Sequence, residues 1–290
     1  MSTQETSGQR VGISVFGRTD VGKVRTKNED AFVIADLMVQ SPIHAMPMPI
    51  ALEVGQRGIL LAVSDGMGGA QAGEVASALT LHALRRSLSA VSASSAEEAL
   101  TACVEAANAK VYHEAVDSSR KGMGATITAV LVHGQRAYVA EVGDSRAYVL
   151  RSNRLVPLTR DQSCVQLLLD NGTLTREQAE TFQYRNVILQ AVGTHPNVVV
   201  ALNRFTLRRG DRVLLCSDGL TGKISDGEIQ DLLTANGSLD AACANLINTA
   251  NARGGEDNIT VVLADFEGEG IPALTGDERV SLETVQAFTG

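Results

Sequence analysis

Four short acidic clusters punctuate the 290-residue chain: Arg25 to Asp30 (RTKNED), Asp65 to Gly69 (DGMGG), Asp218-Gly219 and Asp257-Asn258. Each lies where an apolar run gives way to a turn, or a turn to an apolar run. Carboxylates from distant segments that share this setting are candidates for one common site. Held close together they repel, so a proton or a cation must intervene. An all-oxygen set suits hard cations such as Mg²⁺ or Mn²⁺, whereas Zn²⁺ prefers Cys and His. The pattern therefore points to a carboxylate-bound metal site.

Strands supply most of the positioning. Val11 to Phe16 and Ala31 to Leu37 read as hairpin partners with RTKNED in the turn between them. Residues 38–58 hold three of the six prolines and read as a loop or insertion, because Pro lacks a ladder donor and restricts its predecessor. Ile59 to Ser64 is a buried strand by its length and bounding turn. A helix striped by Ala78, Leu81, Leu84 and Leu88 follows, and a second starts at the Ser95–Glu98 capping box. Ala125 to Val132, Arg136 to Val142 and Arg146 to Leu150 are strands whose tight turns predict antiparallel hairpins.

Residues 159–185 are polar and helix-prone, with a capping box at Thr175 and Gln178, and read as a mobile flap. Val187 to Ala191, Val198 to Leu207, Arg212 to Cys216 and Ile259 to Phe266 are the remaining strands. Between the last two, Ser225 and Glu228 cap one helix, and Leu239, Cys243, Ile247 and Ala250 stripe another. Residues 1–10 are expected to be a flexible leader, and 267–290 an acidic tail with little ordered structure. Antiparallel strands with one helix pair in each half predict two sheets face to face, each covered outside by helices. The expected fold is an α+β, four-layer α/β/β/α sandwich.

Composition narrows the function. The chain is 44% hydrophobic, lacks Trp and is only 3% aromatic, so its core must be aliphatic. Its formal charge is −8 and no Lys/Arg run occurs, which argues against nucleic acid or anionic lipid as partners. Four scattered cysteines without a CxxC pair suit reduced thiols. Residues 1–10 have no apolar signal core, and no apolar stretch has bilayer length. A soluble, cytoplasmic, monomeric protein is expected.

The clusters extend into seven pieces: GKVRTKNED ending at Asp30, SDGMGG from Ser64, MGAT ending at Thr126, VGDSR ending at Arg146, LTRD ending at Asp161, SDGL from Ser217, and EDNIT ending at Thr260. In this order they resemble the metal-dependent protein serine/threonine phosphatases of the phosphatase 2C type, bacterial branch, over residues 12–266. The resemblance implies a β-sandwich flanked by helices and hydrolysis of phosphoserine and phosphothreonine by a water at two Mn²⁺ or Mg²⁺ ions. It implies that Asp65 bridges both metals, that Asp218 and Asp257 join it on one, and that the Gly66 carbonyl and Glu29, through water, serve the other. Asp30 would hold metal-bound waters and Arg25 would grip the phosphate, which its planar fork suits. Asp144 is a possible ligand of a third metal. That ion is expected to be weak or absent, because Gly222 stands where many relatives carry another Asp. Met67 stands where many animal members carry His, as in the family's bacterial-type members. The partners would be phosphorylated proteins, the products of a serine/threonine kinase.

The residues alone leave other roles open. Asp65 and Asp218 could be strand-end turn residues, Arg25 a solvated charge, Glu29 a hairpin carboxylate and Asp144 a turn-binding group. Gly66, Gly68 and Gly69 could serve only the backbone. Ser64 and Ser217 have no base placed beside them in sequence and are not read as nucleophiles. A non-catalytic phosphoprotein-binding scaffold is the rival to an enzyme. A phosphodiesterase or nuclease is disfavoured by the missing basic groove.

Overall fold

A computed structural model describes residues 10–39, 42–43, 46–68, 72–116, 120–235 and 237–289. All but Arg10 of the expected leader, and Gly69 of the DGMGG cluster, lie outside the described residues. The first half runs β1 (Gly12–Asp20), β2 (Asp30–Asp36), β3 (Ile50–Glu53), β4 (Ile59–Met67), α1 (Ala72–Ala90), α2 (Ala96–Val116), β5 (Gly124–Ala125), β6 (Ile127–His133) and β7 (Arg136–Val142). There follow β8 (Arg146–Arg151), β9 (Arg154–Pro157), α3 (Cys164–Asp170), α4 (Arg176–Glu180), β10 (Ala201–Thr206), β11 (Arg212–Cys216), α5 (Asp218–Thr221), α6 (Asp226–Ala235), α7 (Leu239–Ala252), β12 (Ile259–Glu267) and β13 (Glu283–Gln286).

Two antiparallel sheets result. One has six strands in the order β3-β1-β12-β11-β8-β9; the other has seven, β13-β10-β7-β6-β4-β2 with β5 beside β4. The four-layer expectation holds, and the period of two explains the unbroken apolar strands. In β4, Ile59, Leu61 and Val63 meet the opposite sheet, while Leu60 and Ala62 meet α1 and α2. In β12, Val262, Ala264 and Phe266 face the sandwich core, while Ile259, Val261 and Leu263 pack with Leu246 and Ile247 of α7. These two strands are covered on both faces, so alternation with polar residues disappears in them.

Two local expectations fail for one reason: the chain changes sheets at its motifs. β1 and β2 are not a hairpin, since β1 pairs with β3 and β12 whereas β2 pairs with β4. RTKNED is thus a crossover between sheets. Likewise β7 and β8 are not hairpin partners, because β8 pairs with β9 and β11, and Gly143 to Ser145 carries the chain across. Residues 38–58 are not wholly loop: after the prolines, β3 adds an edge to β1. Residues 187–191 make only isolated bridges, Ser163 to Ile188 and Ala125 to Val192 just beyond. The α1 stripe runs through Ser77, Leu81, Leu84 and Leu88, and Ala78 is exposed. The segment from Glu267 does not stay apart from the fold: Ile271 is buried in the sandwich core and β13 pairs with β10. Its acidic side chains find basic partners, Arg208 with Glu278 and Arg204 with Glu283.

Candidate active site

The acidic clusters meet at one end of the sandwich. Asp30 opens β2 and pairs in register with Asp65 near the end of β4, so both side chains occupy neighbouring positions on one face. Asp218 opens α5 directly after β11, and Asp257 lies in the turn before β12, the strand beside β11. Hydroxyls stitch the two sheets together here. Asp30 Oδ2 accepts from Ser217 Oγ at 2.6 Å and from Thr260 Oγ1 at 2.7 Å. Ser217 Oγ in turn accepts from the Thr260 amide at 3.0 Å. The Asp65 amide donates to Thr126 Oγ1 at 2.9 Å, and that hydroxyl shares a hydrogen with Ser145 Oγ across 2.8 Å.

Glu29 is held by its backbone. Its amide donates to Asn258 Oδ1 at 2.8 Å, and its carbonyl accepts from the Gly66 amide at 3.1 Å and from Ser77 Oγ at 2.6 Å. The start of α1 presses on this pair. A Cβ on Gly66 would stand 2.0 Å from the Gly73 carbonyl oxygen, which no side chain permits. Asn258 also donates to the carbonyls of Val21 and Lys27, so one side chain organises the whole RTKNED crossover.

Negative charge is crowded and largely unanswered. Burial, reinforced by Asp30, Asp218, Asp144 and Asp257, pushes the Asp65 carboxyl well above the ordinary carboxylate range. Burial also lifts Asp30 to about 7, against its two hydroxyl bonds, and Asp144 to about 8, with Asp218 and Asp161 adding repulsion. Asp218 is raised by burial and by Asp257. Two buried oxygens, Asp30 Oδ1 and Asp218 Oδ1, have no hydrogen-bond partner among the described residues. Arg25, half exposed, reaches Asp257 Oδ2 with Nη2 at 2.9 Å. Arg146 is committed to Asp161 through two bonds of 2.7 Å.

Among the described residues, no three acidic, His or Cys side chains are yet drawn together at ligating distance. The donors nevertheless fit hard divalent cations. Asp30 and Asp218 each keep a buried, orphaned oxygen, and the cluster holds an excess of negative charge, which is the state that a cation relieves. Asp257 is turned to Arg25 instead.

The structure thus brings Arg25, Glu29, Asp30, Asp65, Gly66, Asp218 and Asp257 to one place, with Asp144 beside them. Asp144, Asp161, Asp218 and Gly222 line a cleft of about 500 Å³, and Arg185 at the end of the flap segment borders it. Sequence reasoning gave no role to Asp161 or to the hydroxyls of Thr126, Ser145, Ser217 and Thr260. The signal was present, since each lies inside one of the seven pieces. Contrary to the expectation from sequence, Ser217 has a carboxylate beside it, Asp30. The hydroxyl is 1% exposed and already bonded on both sides, so it acts as a brace between the sheets.

Known proteins resemble this chain over most of its length. The family model for protein phosphatase 2C matches residues 50–264. The serine/threonine protein phosphatase PstP of Mycobacterium tuberculosis is 36% identical over 280 residues, covering 93% of this chain and 50% of PstP. The chain therefore spans about half the length of that relative. The serine/threonine phosphatase stp of Listeria welshimeri is 34% identical over 254 residues, 86% of this chain and 94% of its own. Among solved structures, the S. agalactiae serine/threonine phosphatase superposes with a TM-score of 0.78 at 33% identity, covering 88% of this chain and 100% of that one. The catalytic domain of PstP in complex with two manganese ions gives 0.73 at 35% identity, covering 88% and 99%.

Proposed function

The chain belongs to the protein phosphatase 2C family, and on that premise we propose that it hydrolyses phosphoserine and phosphothreonine in proteins at a dinuclear Mn²⁺ or Mg²⁺ site. The observation that carries this reading is the convergence of Asp30, Asp65 and Asp218 at one sheet end, where the buried oxygens Asp30 Oδ1 and Asp218 Oδ1 lack partners among the described residues. Asp65, Asp218 and Asp257 would hold the ions from the strand ends, with the Gly66 carbonyl and Glu29 on the other side. Bound there, two divalent cations supply Lewis acidity, which brings the pKa of a water towards neutrality and offsets phosphoryl charge.

The chain's own residues do the rest. Arg25 stands at the rim, where its guanidinium can leave Asp257 and take two phosphate oxygens. Asp30, fixed by Ser217 and Thr260, keeps one oxygen free towards the site and can orient water. Phosphoryl transfer asks mainly for positioning and charge neutralisation, so no protein nucleophile is required. The flap of α3 and α4 borders the cleft and is the element we assign to substrate choice; exchanging it should alter peptide preference more than the rate on p-nitrophenyl phosphate.

The deciding assay is hydrolysis of a phosphothreonine peptide and of p-nitrophenyl phosphate, with and without Mn²⁺. Asp65→Ala, Asp218→Ala and Asp257→Ala should each abolish turnover while the protein stays folded. Near-parental turnover in any of them at ordinary millimolar metal would overturn the assignment.

A further inference from the structure

A second cavity, of about 370 Å³, lies behind the flap. Its floor is formed by Glu141 of β7 and by Ala201 and Asn203 of β10. Ala201 pairs directly with Glu141, and Asn203 is two residues on, so the three share a face. Leu167 and Leu189 wall it from the flap side, and Phe288 closes it from the tail.

The floor carries two unsatisfied acceptors. Glu141 is 2% exposed, and its Oε2 accepts from the Arg160 amide at 3.0 Å, while Oε1 has no partner among the described residues. Asn203 donates through Nδ2 to the Leu158 carbonyl at 2.9 Å, which leaves its Oδ1 as the free atom, and Oδ1 too is unpartnered. The other charges at the cavity are already matched: Arg160 with Asp170, and Asp161 with Arg146. Burial, with Asp161 and Asp144 adding repulsion, pushes the Glu141 carboxyl well above the ordinary carboxylate range, and Arg146, its guanidinium held by Asp161, offsets this only from a distance. A buried carboxylate oxygen and an amide oxygen ask for donors carrying positive charge. The leucines and Phe288 suit an aliphatic stem. A planar guanidinium can bond two separate acceptors where an ammonium is a point charge.

Asp161 lines both this cavity and the catalytic cleft. A chain whose phosphorylated residue enters the cleft can therefore place a neighbouring side chain behind the flap. We propose that the cavity is a specificity pocket for an arginine side chain of the phosphoprotein substrate, bonded by Glu141 Oε1 and Asn203 Oδ1. This rests on the phosphatase reading above.

The test uses the full chain with Mn²⁺ and an alanine-rich phosphothreonine peptide in which one arginine is moved a position at a time. One register should exceed the all-alanine peptide by about tenfold in kcat/KM, the scale of a charge-assisted bond. Citrulline at that register, which keeps the shape and loses the charge, should return the parent enzyme to the alanine value. Glu141→Gln should lower the arginine-to-alanine ratio towards one; the ratio is internal to each enzyme and does not depend on its basal rate. Activity on every peptide with no preferred register, or equal preference for arginine and citrulline, overturns the pocket while leaving the phosphatase reading intact. If free arginine amide alters the p-nitrophenyl phosphate rate and no peptide register stands out, the ligand is a small molecule and the peptide assignment is wrong. Failure to hydrolyse any substrate would overturn the phosphatase reading and the pocket's role with it.

Discussion

Gly73→Ala separates the metal site from the fold that carries it. Gly73 lies in the first turn of α1, and a Cβ there would stand 2.6 Å from Glu29 Cδ, 2.7 Å from Glu29 Oε1 and 2.8 Å from the Gly66 carbonyl oxygen. Ordinary contact begins near 3.4 Å, so the Glu29 carboxylate must retreat by nearly 1 Å and the Gly66 carbonyl must also give way. The carboxylate is the end of a flexible side chain and moves readily; the carbonyl is backbone and takes the smaller shift. The helix itself favours alanine over glycine by roughly 1 kcal/mol, which offsets much of the crowding. On the proposed assignment, the cost falls on the ion that Glu29 and Gly66 would serve. Divalent ions of this size demand oxygens within a few tenths of an ångström, and disturbed outer ligands typically weaken a site by about 10–100-fold. That corresponds to roughly 1.4–2.7 kcal/mol. Calorimetric titration of the metal-free protein with Mn²⁺ should show one weakened site and one at parental affinity, with turnover recovered at saturating Mn²⁺. Two parental affinities would refute the placement of Glu29 and Gly66 on one ion. A collapse of metal-free thermal stability would refute the claim that these shifts are absorbed locally.

Arg25→Ala should raise KM by roughly tenfold with little change in kcat, since it removes a phosphate contact already present in the ground state; a fall in kcat at unchanged KM would contradict this. Gly222 has φ −69°, so Gly222→Asp needs only a small adjustment of its Cβ, 3.0 Å from the Asp218 carbonyl. It should strengthen a third ion beside Asp144, and anomalous scattering from Mn²⁺-soaked crystals showing a full third peak in the parent at low metal would defeat the idea. In the metal-free protein Asp30 and Asp144 have folded pKa values of about 7 and about 8, raised from an unfolded 3.8. Their contribution to stability is present below the unfolded value and is lost as pH rises through the folded ones. The thermal midpoint in chelator should fall between about pH 5 and 8, and Mn²⁺ should flatten the slope; a rising midpoint without metal would be inconsistent. Asp211→Asn breaks a fully buried pair with Arg151, whose guanidinium bonds Asp211 at 2.8 and 2.6 Å. It should destabilise by about 3 kcal/mol or more in urea titration, and a loss under about 1 kcal/mol would show that the pair is dispensable.

The chemistry of the site was legible because motif residues declare themselves by type: Asp65, Asp218 and Asp257 follow or precede apolar strands whose directions need no long-range information. Element identity was legible for the same reason, since α2, α6 and α7 carry caps or stripes with a period of 3.6, and β4 and β12 are short apolar runs. What local pattern could not decide was partnership. RTKNED and GDSR look like hairpin turns, and the short spacing of β1 with β2 and of β7 with β8 invites that reading. Each loop instead crosses the sandwich, because pairing across sheets is paid for by burial between layers rather than by the turn. The tail follows the same rule: its acidic composition suggests solvent, but Arg204, Arg208 and the open edge of β10 give it partners only in three dimensions. The sequence alone therefore determined which residues are ligand types and which segments are strands or helices, through short-range spacing and side-chain chemistry. Only the tertiary structure decided that Asp30 faces Asp65, that Ser217 braces Asp30, and that Glu141 keeps a bare oxygen behind the flap. Such relations join residues up to 187 positions apart, and no local propensity encodes a contact across that distance.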